Sequence, residues 1–151
     1  MEEIKHTEKS IQFLLAHKFF GLRKYDCIRN VSWGFFSHCE IDLLAISHSG
    51  YLTTVEIKIS KADAENDILK KHHDIPDENK KLIKWSYMAM PVEVWLKVDT
   101  AKIDSSLGII LIDGEKIYSH KNSTARHTRK LFMEERLQLL RLGNMRSWSN
   151  G

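Results

Sequence analysis

The stretch EIDLLAISHSGYLTTVEIKIS, residues 40–60, decides the fold. Its two halves, 40–47 and 51–59, are rich in Ile, Leu, Val and Thr, the residues that favour β-strands. Between them, His48, Ser49 and Gly50 suit a short hairpin loop with the glycine in the left-handed conformation. The sequence therefore predicts a β-hairpin at this point of the chain.

A polar face runs along the predicted hairpin. The register that the loop imposes places Asp42 opposite Glu56 and Glu40 opposite Lys58. Because side chains alternate along a strand, these four residues project to one face and leave the other face apolar. The apolar positions are Ile41, Leu43, Ala45, Val55, Ile57 and Ile59. We therefore expect the apolar face to pack against the rest of the protein. The polar face, with four charged residues, is unusual for a strand pair of this kind.

Helices and further strands are predicted on either side of the hairpin. We expect a helix over residues 3–20, a strand over 25–33, a helix from Ser60 to about His73, strands over 82–90, 107–112 and 116–120, and a helix from about Thr124 to Leu142 with Leu131, Leu137 and Leu140 inward. This order, with one helix, three strands, a helix, strands and a helix, predicts an α/β or α+β fold with a mixed sheet. We expect one domain over residues 1–146 and a flexible tail over 147–151.

Composition narrows the class of protein. The 151 residues are 42% hydrophobic and 28% charged, with two prolines and seven glycines, so one hydrophobic core is expected and no linker between domains. Charged residues near the start of the chain argue against a signal peptide or a membrane span. Only two cysteines are present, and neither has the spacing of a zinc site, so we expect reduced thiols and a cytoplasmic protein without a membrane partner.

The four polar residues of the hairpin carry a formal charge of −2, which favours a cation between them. Carboxylate oxygens without His or thiolate ligands favour Mg²⁺, or Mn²⁺ as a substitute, over Zn²⁺. Lys58 follows Glu56 on the same face and could orient an attacking water or a phosphate oxygen. The pattern is typical of phosphodiester hydrolysis. Glu8 falls on the apolar stripe of the first helix and either points inward or extends to water.

The spacing of Asp42, followed after a hairpin by Glu56, Ile57 and Lys58, resembles the PD-(D/E)XK nucleases over about residues 3–90. The resemblance implies a restriction-endonuclease-like core of helix, three strands, helix and strand. It implies that Asp42, Glu56 and the carbonyl of Ile57 bind the metal and that Lys58 is catalytic.

In some branches of this superfamily the first helix supplies an acid, and Glu8 would match it. Glu40 has no general counterpart and is expected to be an accessory ligand or a salt-bridge partner of Lys58. A closer resemblance is to the small MmcB-like DNA-repair endonucleases. The features that carry it are residues 55–60, Asp63 and Asp67 followed by Lys71, the stretches 85–91 and 107–114, and the basic last helix.

The charge is unevenly placed. Residues 121–151 contain seven basic and two acidic residues, a net +5, and because the whole chain carries +3, the remainder carries −2. A basic end favours an anionic partner such as DNA, and a solvated helix face explains it equally well. The candidate nucleic-acid contacts are Lys70, Lys71, Arg126, Arg129 and Lys130, the last three expected in the first turns of the final helix.

Two functions from different classes thus remain open at this point. The first is a Mg²⁺-dependent DNA endonuclease, with a homodimer needed if it cuts both strands. The alternative is a non-catalytic nucleic-acid-binding module that retains the nuclease fold. An unrelated metabolic α/β protein would bind neither DNA nor a divalent ion.

Overall fold

A six-stranded mixed sheet forms the centre of the protein. The computed structural model describes residues 5–31, 40–70 and 81–149. The strands are β1 (Tyr25–Val31), β2 (Ile41–Ser47), β3 (Leu52–Ile57), β4 (Ile83–Pro91), β5 (Gly108–Asp113) and β6 (Lys116–Lys121), which neighbour each other in chain order. The pairs β3–β4 and β4–β5 are parallel and the other three are antiparallel. The mixed α+β fold class expected from the sequence is confirmed.

Helices connect and cover these strands. They are α1 (Glu8–Leu14), α2 (Lys61–Lys70), the short α3 (Val92–Trp95) and α4 (Met133–Ser149). Helix α1 begins with a capping box in which Thr7 and Ser10 bind each other's backbone N–H, and it continues as a π-helical segment, Leu15–Phe20. Within the described residues, no helix has the length and apolar character that a membrane span requires.

The hairpin of β2 and β3 has the predicted register. Leu43 pairs with Val55 and Ile46 with Leu52. The same register, extended by one position, puts Asp42 beside Glu56. The loop closes through a 2.9 Å hydrogen bond from the Gly50 N–H to the Ser47 carbonyl, and Gly50 has φ of +94°. Because this backbone angle is strained for other residues, the glycine in the sequence already specified the turn.

Both faces of the sheet are covered, so the expectation of one polar hairpin face is wrong for most of the strand length. On one face α1 and the π-helical segment pack on Leu43, Ala45, Val55, Ile57, Ala89, Ile110 and Ile112. The other face carries Leu44, Ile46 and Leu52 beneath Leu139 of α4, and Met88, Met90, Ile109 and Leu111 near Ala64 of α2. A strand in the middle of a sheet with helices on both sides is apolar on both faces. Ile59, predicted to be inward, lies beyond β3 and is half exposed.

The last helix was predicted wrongly at its start and in its orientation. Residues 122–132 are extended and not helical, because their backbone bonds to distant residues in strand β4 and in two loops beside the sheet: Thr124 N–H to Ser106, Arg126 N–H to Lys84 and Leu131 N–H to Gly50. Helix α4 begins only at Met133 and continues through Ser149, past the expected boundary at residue 146. Its buried leucine is Leu139, whereas Leu137 and Leu140, predicted to be inward, are exposed, and Leu131 is partly buried before the helix.

Candidate active site

Asp42 joins the two strands of the hairpin at their open end. Its Oδ2 accepts a 2.8 Å hydrogen bond from the backbone N–H of Ile57. With Leu43 paired to Val55, this bond places Asp42 next to Glu56, which is half-buried on β3. The predicted pair of acids therefore lies at one end of the hairpin, and the backbone of Ile57 is part of the same group.

An irregularity in the sheet positions Asp42. Asn30 on β1, at the level of Asp42, has φ of +53°, and Ile41 packs in the same cluster as Leu44 and Ile46 instead of with Leu43. Strict alternation would place Ile41 and Leu43 together, so the alternation of faces breaks at Asp42. Asp42 therefore lies close to helix α1 because the strand departs locally from regular geometry at this residue.

The buried side chain of Gln12 holds this irregularity in place. Its Nε2 donates to the carbonyl oxygen of Asp42 at 2.9 Å and to Oδ1 of Asn30 at 2.8 Å. Gln12 is 5% exposed, so these two bonds satisfy an amide group that would otherwise be costly to bury. Helix α1 thus contacts the candidate site through a residue that the sequence analysis did not single out.

Glu8, in the first turn of α1, lies within hydrogen-bonding reach of the Asp42 carboxyl group. Burial raises the pKa of Glu8, and the negative charges of Asp42, Glu40 and Asp63 raise it further. Glu8 remains largely exposed, so the structure places it at the rim of the group and not within the core. The carboxylates of Asp42, Glu40 and Asp63 therefore all act electrostatically on Glu8.

Lys58 supplies a buried positive charge beside these acids. The residue is 3% exposed, and its Nζ lies 4.0 Å from Oδ1 of Asp63 in the first turn of α2. Ser60 accepts the Asp63 N–H at 3.1 Å and thereby orients the start of the helix. Asp63 was singled out from the sequence as one feature of the MmcB-like resemblance, and its contact with Lys58 was not predicted, because that contact depends on how α2 packs in three dimensions.

The donor atoms at this site are of the kind that hard divalent cations prefer. Asp42, Glu56 and the carbonyl of Ile57 offer oxygen atoms only, as the sequence analysis required for Mg²⁺ or Mn²⁺. Among residues 5–31, 40–70 and 81–149, however, no three His, Cys, Asp or Glu side chains form a group that could hold a metal. One Asp42 oxygen is also engaged by the Ile57 N–H.

The predicted nucleic-acid contacts do not gather at the carboxylates. Lys71 and the side chain of Lys70 lie outside the described residues. Arg126 donates to the hydroxyl of Ser86 at 2.9 Å, and Arg129 binds both carboxylate oxygens of Glu135. Lys130 is exposed, 5.8 Å from the ring centre of Tyr51.

These three basic residues belong to the extended segment 122–132 and not to the first turns of a helix, so the helix-dipole argument for them is wrong. The segment crosses the sheet where β3 and β4 begin, because its backbone bonds to Lys84 and Gly50. Asp42 and Lys58 lie where β3 ends. The basic segment and the carboxylates therefore occupy opposite ends of these strands.

Comparison with known proteins bears on the fold and not on the function. No family model matches the sequence, and no similar curated protein was found. The structure is similar to a solved protein of unknown function from Silicibacter pomeroyi, with a TM-score of 0.56 and 13% sequence identity. The alignment covers 83% of this chain and 76% of the other. At this identity the likeness concerns the fold alone.

Proposed function

We propose that this protein is a metal-dependent DNA endonuclease with a PD-(D/E)XK-type core, in which Asp42, Glu56 and Lys58 carry the hydrolysis of a phosphodiester bond. The observation that carries the proposal is the 2.8 Å hydrogen bond from the Ile57 N–H to Asp42 within the hairpin register. That bond holds Asp42 of one strand against the backbone of the next strand, at the residue between Glu56 and Lys58. Such an arrangement suits phosphoryl chemistry, which depends mainly on positioning and charge.

Asp42, Glu56 and the Ile57 carbonyl would hold Mg²⁺, or Mn²⁺ in its place. Magnesium keeps several waters and is commonly bound by one or two carboxylates together with substrate phosphate, so two acidic side chains are a sufficient donor set. When bound, the ion would lower the pKa of a water molecule and offset charge on the phosphate. Glu8 and Glu40 have a secondary role, since they add negative potential at the rim.

Lys58 is the residue proposed to orient the attacking water or a phosphate oxygen. Its ammonium group is almost completely buried, so its field acts at lower effective dielectric than that of a surface lysine. Asp63 lies beside it and restricts where the ammonium group can point. A buried ammonium group held beside Asp63 can donate a hydrogen bond to a substrate oxygen with little competition from solvent.

The alternative is a module that binds nucleic acid without cutting it. The observation in its favour is that Arg126, Arg129 and Lys130 lie apart from the carboxylates, so anion binding does not require the acidic end. Such a module would bind DNA in a chelator, with a salt dependence set by the number of phosphate contacts.

The decisive experiment is a cleavage assay with Mn²⁺ on single-stranded, duplex, flap and branched DNA. We expect Asp42→Asn to reduce cleavage by about 10²-fold or more, because it removes the charge and keeps an oxygen acceptor for the Ile57 N–H. Lys58→Met should have a similar effect. Glu115→Gln, an exposed change at the β5–β6 turn, is the matched control and should cleave normally.

Metal binding provides the second readout. We expect calorimetry to detect Mn²⁺ binding to the wild-type protein and its loss in Glu56→Gln, with the circular dichroism spectrum unchanged. Cleavage that persists in both Asp42→Asn and Lys58→Met would refute the proposal. DNA binding in chelator, with no cleavage of any substrate, would establish the alternative.

A further inference from the structure

A cavity of about 810 Å³ lies between helix α1, the edge strand β1 and helix α4. This volume is within the range of roughly 300–1,000 Å³ that is usual for small-molecule sites. β1 is the first strand of the sheet formed by the described residues, and Cys27, Ile28 and Arg29 of this strand line the cavity. The cavity is distinct from the carboxylate group and from the basic segment 122–132.

The charge lining this cavity has one sign. Lys9, His17 and Arg29 are among the lining residues, and no aspartate or glutamate is. Within the described part of the chain, no carboxylate forms an ion pair with Lys9 or Arg29. Two cations without a carboxylate ion-pair partner among the described residues favour an anionic occupant.

The walls of the cavity also offer an aromatic and apolar surface. Phe13 on α1 is 61% exposed, and its ring centre lies 4.1 Å from that of His17. Leu140 of α4 lines the cavity from the other helix, and Ile28 does so from β1. A large exposed aromatic ring beside apolar side chains suits a flat ring that can stack on it.

One wall of the cavity is shared with the candidate active site. Gln12 lines the cavity, and its Nε2 donates to the carbonyl oxygen of Asp42. Leu43, the residue after Asp42, lines it as well. The cavity is therefore connected to the Asp42 backbone through Gln12 and Leu43.

We propose that this cavity binds one unpaired nucleotide of a nucleic-acid strand, with the base against Phe13 and His17 and the phosphate near Lys9 and Arg29. The inference rests on the proposed function in one respect: it identifies the substrate of that site as DNA with an unpaired nucleotide next to the bond that is cut. The cavity is too small for a paired duplex, so the nucleotide must leave its partner before it enters.

Binding is tested with a mononucleotide and without metal. Thymidine monophosphate is titrated into the ¹⁵N-labelled protein in EDTA, and thymidine serves as the probe that lacks the phosphate. We expect saturable shifts at residues of α1, β1 and α4, and binding of thymidine weaker by about tenfold or more, because it cannot accept charge-assisted hydrogen bonds. Phe13→Leu should also weaken the mononucleotide, since this exposed ring is the stacking surface.

The double variant Lys9→Gln/Arg29→Gln should bind the mononucleotide about tenfold or more weakly. Lys97→Gln/Lys116→Gln removes the same charge from exposed positions outside the cavity and should bind like the wild type. Absence of saturable shifts at the cavity, or an equal loss in the two double variants, would overturn the inference. Equal affinity for thymidine and its monophosphate would also overturn it.

A cleavage arm separates this inference from the proposed function. Asp42→Asn should still bind the mononucleotide, because Asp42 does not line the cavity and Gln12, which does, bonds to the Asp42 backbone carbonyl and not to its side chain. We expect active protein to prefer a flap or single-stranded substrate to a paired duplex by about tenfold, and Lys9→Gln/Arg29→Gln to lose the preference. Mononucleotide binding without any cleavage would reject the nuclease and keep the cavity site; cleavage without mononucleotide binding would do the reverse.

Discussion

Glu135 shows how a single side chain stabilises the point where helix α4 begins. Its Oε1 accepts the N–H of Phe132 at 2.8 Å, a contact made by the third residue of many helices to the residue that precedes them. Both carboxylate oxygens also accept hydrogen bonds from Arg129, at 2.7 and 3.0 Å. The Arg129 guanidinium holds the pKa of Glu135 below its ordinary value, and partial burial offsets only some of this effect.

Lowering the pH should therefore reduce the free energy of unfolding, in part through protonation of Glu135. A carboxyl group with a lowered pKa in the folded state stabilises that state above its ordinary pKa, and the contribution is lost as pH falls through the lowered value. We expect Glu135→Gln to reduce the free energy of unfolding at pH 7, and the difference from wild type to shrink as the pH falls below about 4 and to vanish only below the lowered pKa of Glu135. Urea unfolding at several pH values measures this. The exposed neighbour Glu134→Gln is the control, and an unchanged difference at low pH would contradict the prediction.

At the scale of elements, Leu139 is the buried leucine through which helix α4 packs on the sheet, beside the Arg136–Asp26 ion pair. Leu139 is fully buried in a cluster with Ile28, Leu44 and Leu52, whereas Leu137 is 58% exposed. The sequence pattern alone favoured Leu137 and Leu140 as inward residues. Which side of the helix faces the sheet depends on where the helix begins. The hydrogen bonds of residues 122–132 delay the first helical turn to Met133.

Truncation of these two leucines should have unequal effects. We expect Leu139→Ala to lower the free energy of unfolding by about 2–5 kcal/mol, because it leaves a cavity under the helix. Leu137→Ala should change it by about 0.5 kcal/mol or less, since that side chain is mostly in water. Chemical denaturation of both variants measures the difference. Equal losses would mean that the helix packs in a different phase.

At the scale of the whole molecule, burial decreases from the middle of the sheet to its last strand. Strand β2 is buried at five of its seven positions, all but the second and the last, and β5 at five of six, whereas five of the six residues of β6 are exposed. Helices cover both faces of the central strands. Global unfolding is therefore needed to open the centre, and local opening is sufficient at the edge.

Hydrogen exchange should reproduce this gradient. We expect amides of β2, β3 and β5 to exchange about a hundredfold or more slowly than those of β6, because local opening requires a smaller free energy than global unfolding. Exchange measured by NMR on the native protein provides the comparison. Equal protection of β6 and β5 would show that the edge strand is covered in solution, and would contradict the gradient.

Much of the candidate site follows from local sequence. A short loop with glycine in its last position and two alternating strands specify the hairpin register, which puts Asp42 and Glu56 at neighbouring positions of the two strands. Glu8 and Glu40 could be nominated only as secondary acids. Gln12 and the contact between Lys58 and Asp63 had no local signal, because each depends on where a helix packs.

The sequence by itself determined the mixed fold class, the hairpin and the order of helices and strands, because these depend on the periodicity of apolar residues and on turn residues close together in the chain. Only the tertiary structure decided that Asn30 and Gln12 redirect the strand at Asp42, that residues 122–132 stay extended, and that a positively charged cavity opens beside the acids. The physical reason is that hydrogen bonds between distant residues override local preference, and their partners are absent from any short stretch of sequence.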